Sequence, residues 1–308
     1  MLIIFKVMIT IGLLGWILNN IDITGVFQLI LDSNLKYFWL SLILMLFQVI
    51  IVTIRWKKIL NNLNNFYSFT KLFCYTWIGL FFNQILLSSI GGDALRGYYI
   101  CKDGCSVKNS TLSVLLDRIF GMIGLVILVI ITTPLFFNQV SDSTARLGLI
   151  MVSIGSISII FSIFTFDLLP QKLSHWRVVR GLFSLTYAVR RLMFSSFYGI
   201  KLIALSVIIH IFSIISVLIL SQGASLDISW INIMLIVPLT TLFMTIPISI
   251  AGWGVREGVM VIGLGYLGVS SESALALSIL FGLLQLVISL PGMLFWTFNR
   301  SNLKRQEI

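Results

Sequence analysis

Apolar residues in this chain come in long unbroken runs, separated by short segments that hold most of the charge. Runs over about 2–18, 37–54, 111–133, 147–169, 201–221 and 274–297 are each long enough, as helices, to cross a hydrocarbon layer about 30 Å thick, which predicts about six full transmembrane helices. Two further apolar stretches behave differently. The first, 72–90, carries Asn83, Gln84, Ser88 and Ser89 and runs into a glycine-broken charged turn; the second, 231–269, is interrupted by Pro238, Pro247 and a second glycine cluster. Irregular backbone at membrane depth is tolerated only inside protein or along a wet cavity, so these two read as re-entrant hairpins.

Composition agrees with the pattern. With 58% hydrophobic and 10% charged residues and a mean hydropathy of +1.04 over 308 residues, no soluble domain could bury this much apolar surface. Only helices and closed barrels satisfy their backbone in lipid, and runs rather than alternation select helices. The expected fold is an all-α polytopic membrane protein, one domain over 1–308.

Charge then orients it. The formal net charge of +10 could suggest nucleic acid, but the bases sit between apolar runs, as in cytoplasmic loops. The first run carries Lys6 near its start and ends in Asn19-Asn20 without a small-residue cleavage site, and so reads as a retained span. Residues 19–36, with Asp22 and Asp32, read as a non-cytoplasmic loop; Arg55, Lys57, Lys58 and Lys71 mark the cytoplasmic face, and Asn138 to Arg146 a short outer loop. Crossing at 72–90 would place Arg96, Lys102 and Lys108 outside, and a hairpin from the cytoplasm removes that conflict. Both termini are then expected in the cytoplasm of a cell-membrane protein, with Arg300, Lys304 and Arg305 closing the last span. Between Gln171 and Lys201 lie Lys172, Arg177, Arg180, Arg190 and Arg191 with no acidic residue, alternating with Trp176 and Phe183. This is either an interfacial helix on anionic headgroups or a loop that only fixes orientation. Cys74, Cys101 and Cys105 are too few for a disulfide framework or closed zinc site, and no cofactor is expected.

The two glycine turns repeat. Gly92 and Gly252, like Arg96 and Arg256, stand 160 positions apart; Gly97 and Gly258, Phe120 and Phe281, and Gly121 and Gly282 stand 161 apart. Halves of about 37–133 and 199–298, in opposite membrane orientation, would follow the inverted-repeat plan of many transporters. Chance matching of glycines and apolar residues is the competing explanation.

A guanidinium suits phosphate in a low-dielectric site, because its planar fork donates two parallel bonds. Arg96 and Arg256 are therefore the first candidates for headgroup contacts. Gly91, Gly92, Gly252 and Gly254 would let backbone N–H groups approach the same anion. Asp93 and Glu257, with the Asp117-Arg118 pair, would close ion pairs when no lipid is bound; the plainer alternative is that all six charges form structural salt bridges at helix ends. His210, in mid-span, is either part of a proton path or bonded to a neighbouring helix.

Gly91-Gly92-Asp93 with Arg96, then Asp117-Arg118 with Gly121, then Pro247, Gly252, Gly254, Arg256 and Glu257, resemble the pattern of the lysylphosphatidylglycerol synthase transmembrane-region family, over essentially the whole chain. The resemblance implies a flippase-like membrane domain. In the best-known members it is fused to a cytosolic aminoacyltransferase and moves aminoacylated phosphatidylglycerol; some stand-alone relatives are linked to polyprenyl-linked glycan pathways. With the sequence running to Ile308, a stand-alone form without aminoacyl transfer is expected. The reading is therefore a translocase, not an enzyme, for an anionic phospholipid or polyprenyl-phosphate-linked lipid. Its partners are a phosphate-bearing lipid and the bilayer, with envelope-biosynthesis proteins or further copies of itself beyond them. The alternative is a membrane enzyme or scaffold in lipid-linked glycan or cell-envelope assembly, though neither a nucleotide-binding signature nor a metal cluster supports catalysis.

Overall fold

The computed structural model of the protein describes residues 2–86, 91–168, 176–246 and 248–306. Ser88, Ser89, Ile90, Leu169, Gln171, Lys172 and Pro247, on which the sequence reading drew, lie outside these residues. Regular structure among the described residues is helical throughout.

The first apolar run forms α1 (Leu2–Asn20), and a 92° bend leads into α2 (Ile23–Leu31). That corrects the expected loop at 19–36. Ile23, Val26, Phe27 and Ile30 recur at helical spacing, and Asp22 caps the helix by accepting from the Thr24 backbone N–H. α3 (Leu35–Asn62) continues two turns past its predicted end, with Met45, Val49, Trp56 and Leu60 on its buried face.

The next two helices, α4 (Phe69–Ile85) and α5 (Gly91–Lys102), form an antiparallel hairpin in which Tyr75 stacks on Tyr99 at 5.2 Å and Gly79 faces Gly92. At about 1.5 Å per residue, the 12 residues of α5 reach only about 18 Å, short of the hydrocarbon thickness. α6 (Val107–Gln139) and α7 (Ser143–Thr165) follow, so the expected outer loop shrinks to residues 140–142. There Arg146 donates to the carbonyls of Val140 and Phe137, each at 2.6 Å, satisfying the end of α6.

The basic segment is a helix, α8 (Arg177–Phe194). Leu185, Ala188, Val189 and Leu192 make a buried stripe against Ile59, Leu116 and Ile119, while Arg180, Tyr187 and Arg191 are exposed. The chain continues through α9 (Ser196–Gly223), α10 (Trp230–Met244), α11 (Val255–Gly265), α12 (Ser271–Ser289) and α13 (Pro291–Gln306). α10 and α11 make a second antiparallel hairpin, with Gly263 against Ile236 and Gly252 against Met244. Among the described residues, five helices are long and apolar enough to cross a membrane, or six with the bent first pair counted as one span. The main core gathers α3, α6, α9, α10 and α12, and α4 packs on both α5 and α13.

Candidate functional site

The tip of the first hairpin meets α3 and α6 at a chain of alternating charges. Asp117 of α6 accepts from Arg55 Nε at 2.7 Å and from both terminal nitrogens of Arg96 at 3.1 Å. Arg96 Nε in turn pairs with Asp93 at 2.9 Å, and Asp93 also binds Arg118. Three arginines thus face two aspartates, a net charge of +1. The side chains of Arg55, Arg96 and Asp117 are each less than a tenth exposed, whereas Arg118 is one-third exposed.

Local backbone geometry places these groups. α5 begins at Gly91, so Asp93 sits in its first turn, where a carboxylate is favoured by the helix dipole, and Arg96 follows on the same face. Asn83 Oδ1 accepts the Gly92 N–H at 2.9 Å and ties the two helices of the hairpin at the break. A side chain at Gly92 would strike the Gly79 carbonyl, so only glycine permits this approach. The guanidinium of Arg96 lies over the Trp56 ring at 4.8 Å, and Trp56 Nε1 donates to Ser113 at 3.2 Å.

Arg55, Asp93, Arg96, Asp117 and Arg118 line a cavity of about 230 Å³ together with Asn83, Gly121, His210, Thr241 of α10 and Thr245 just past its end. His210 Nε2 lies 3.0 Å from the Gly121 carbonyl, which can only accept, so this nitrogen carries the proton. At the hairpin's mouth Asp103 joins Lys71 at 2.8 Å and the Tyr75 hydroxyl at 2.7 Å. Burial there pushes the Tyr67 phenol up to about 12 and raises the Cys105 thiol, so both stay neutral.

The second glycine turn builds a different cluster. Ala251, Gly252 and Gly254 have φ of 50°, 82° and 84°, a left-handed path that turns the chain sharply into α11. Glu257 reaches back to accept the Gly254 N–H at 2.6 Å and also holds Arg256, whose guanidinium lies over Trp253 at 4.4 Å. Arg256 donates further to Gln285 at 3.5 Å, and Ser278 donates to Glu257 at 3.4 Å. This pair is net neutral and almost fully buried.

Asp93, Arg96, Asp117, Arg118 and His210 therefore share one cavity, while Arg256, Glu257, Gly252 and Gly254 sit apart; the two groups exchange no ion pair or hydrogen bond among the described residues. Gly91 and Gly92 serve the first group by backbone alone. The sequence marks Arg55 only as a base of the cytoplasmic face; it is a buried member of the network, held also by Ser206 at 2.9 Å. Nothing in its sequence context sets it apart from Lys57 and Lys58 at the end of the same apolar run.

Comparison with known proteins gives a consistent picture. The family profile described as "Lysylphosphatidylglycerol synthase TM region" matches residues 3–292. UPF0104 membrane protein MJ1595 of Methanocaldococcus jannaschii is 32% identical over 87 residues, 28% of this chain and 26% of that protein. UPF0104 membrane protein PH1989 of Pyrococcus horikoshii is 26% identical over 163 residues, 52% of this chain and 46% of that protein. The chain thus matches less than half the length of each of these relatives.

Proposed function

The chain belongs to the lysylphosphatidylglycerol synthase transmembrane-region family, and from that premise we propose that it is a lipid translocase, not an enzyme, moving an anionic headgroup across the cell membrane. The observation that carries this reading is the net-positive Arg55–Asp117–Arg96–Asp93–Arg118 chain lining a cavity at membrane depth. Charges buried in this way persist only when paired. In the lipid-free state the carboxylates of Asp93 and Asp117 occupy the positions that phosphate oxygens take when a headgroup enters. Arg118, the most exposed guanidinium of the three, makes the first contact, and Arg96 completes a two-arginine clamp as Asp93 lets go. Exchange of one acceptor for another keeps every guanidinium satisfied at each step.

In this reading the α4–α5 hairpin is re-entrant from the cytoplasm and α10–α11 from the opposite face. Both termini are cytoplasmic, and the Arg256–Glu257 pair is the inverted counterpart of the first cluster. Because Arg256 lies behind Gln285 rather than in the cavity, it takes the headgroup only in a second, outward state.

Reconstitution into liposomes containing an anionic lipid with a fluorescent headgroup tests this. The wild type moves the headgroup between leaflets, and Arg96→Ala and Arg118→Ala, kept monodisperse, abolish that movement. Wild-type rates from both folded variants would overturn the assignment.

A further inference from the structure

Beside the charged cavity lies a second one of about 210 Å³ that contains no charged group. It is lined by Gln48 of α3, Gln84 of α4, and Gln285 and Ser289 of α12, and it shares Val52 and Leu80 with the charged cavity, so the two adjoin. Three carboxamides from three helices converge here within otherwise apolar runs. Gln48 accepts from Ser213 at 3.3 Å and Gln285 from Arg256 at 3.5 Å, both through Oε1; among the described residues neither amide nitrogen has a protein acceptor, and Gln84 makes no hydrogen bond. A carboxamide carries two donors and an acceptor, and leaving them unmatched at membrane depth is costly. An amide cluster without charge matches a ligand that donates and accepts in equal measure and carries no charge of its own. Hydroxyl groups meet that description, whereas a second phosphate or an ammonium does not.

We infer that this chamber is a binding site for the hydroxyl-rich part of a headgroup, a polyol or sugar, whose phosphate lies in the adjoining cavity near Arg96. The inference rests on the translocase reading for the position of the phosphate. Val52 and Leu80 form the shared wall, so a phosphodiester there places its ester oxygen toward the glutamines and its acyl or prenyl chain away from them. The charged cavity then supplies affinity for any phosphate-bearing lipid, and the glutamines select among them. Two sources of such chemistry exist, a glycerophospholipid with a polyol headgroup and a polyprenyl phosphate carrying a sugar.

The test is binding by the full chain in phosphatidylcholine nanodiscs, measured for two matched pairs of lipids. Dioctanoyl phosphatidylinositol is compared with dioctanoyl phosphatidic acid, and farnesyl phosphoryl glucose with farnesyl phosphate. Wild type prefers the hydroxylated member of at least one pair by about tenfold or more, the effect of one or two hydrogen bonds, and the pair that shows the preference identifies the source. Gln84→Leu and Gln48→Leu bring that ratio close to one while the phosphate-only lipids bind as before. Should a leucine variant fail to fold, Gln84→Asn and Gln48→Asn, which withdraw the amide by one methylene, carry the comparison. Equal binding within both pairs by wild type, or an undiminished preference in the folded glutamine variants, overturns the inference. Loss of the phosphate-only lipids in Arg96→Ala is a separate readout, and its absence would count against the phosphate site instead.

Discussion

Arg55 on α3 donates to Asp117 on α6 at 2.7 Å, joining positions 62 residues apart in the sequence. Because Asp117 also accepts from Arg96, one carboxylate couples the long helix α3 to the tip of the α4–α5 hairpin. A motion that withdraws Arg96 leaves Asp117 with Arg55 and Arg55 with Ser206, so the network can open at one bond without orphaning the rest.

Neutralising that shared carboxylate should be the most damaging single change in the network. Asp117→Asn leaves two buried guanidinium groups facing a carboxamide, a loss of about 3–5 kcal/mol. Adding Arg55→Met removes one of the stranded charges. Thermal unfolding of the detergent-solubilised protein should therefore show Arg55→Met/Asp117→Asn less destabilised than the sum of the single variants by about 1 kcal/mol or more. Additive shifts would mean that the two groups do not act as a pair.

Two glycines near Arg256 should respond differently to alanine. A Cβ at Gly282 would land on the Arg256 guanidinium, which Glu257, Gln285 and Trp253 hold from the other sides, so Gly282→Ala overpacks the site by about 1–3 kcal/mol. At Gly258, inside α11, a Cβ meets nothing within 4 Å, and the gain in helix propensity leaves Gly258→Ala neutral or up to about 1 kcal/mol more stable. Melting curves of the two variants decide it, and a destabilised Gly258→Ala would contradict the packing described for α11.

Much of this architecture was legible in the chain because a span long enough to cross lipid needs an apolar run that nothing else in a sequence imitates. The hairpins were marked by Asn83, Gly91-Gly92 and Gly252-Gly254, where polar groups and left-handed backbone interrupt such runs. Arg55 was not legible as a site residue. A base at the end of an apolar run looks the same whether it faces the cytoplasm or a carboxylate on another helix, and only the tertiary contact with Asp117 separates the two. The short helix α2 was hidden for a related reason: its nine residues fall below the length at which periodicity stands out beside two flanking aspartates. The pairing of Arg190 with Asp167, at 2.7 Å, likewise depends on where α8 folds back.

Orientation can be read by thiol labelling. In a background with Cys74, Cys101 and Cys105 replaced by serine, Ser141→Cys between α6 and α7 should react with a membrane-impermeant maleimide added to intact cells. Lys57→Cys, near the other end of α3, should react only after permeabilisation. The positive-inside bias of Lys57, Lys58 and Lys71 requires this result. Labelling of Lys57→Cys in intact cells would invert the expected topology.

The closeness of α4 and α5 should prove to be a property of their backbones. A methyl group at Gly92 meets the Gly79 carbonyl, which belongs to a rigid helix, and the Asn83 side chain at 2.7 Å, which can rotate away. Were Asn83 the obstacle, Gly92→Ala would be rescued by Asn83→Ala; since the carbonyl cannot move without unwinding α4, no rescue is expected. Gly92→Ala therefore separates the hairpin at its tip, displaces Arg96 from Asp117 and abolishes headgroup movement, with a loss of stability of about 1–3 kcal/mol. Gly181→Ala, on the exposed side of α8 with nothing within 4 Å, should leave both movement and melting temperature unchanged. Measuring the three variants side by side separates the explanations, because recovery of movement in Gly92→Ala/Asn83→Ala would show that side-chain crowding, and not the approach of two backbones, fixes the hairpin.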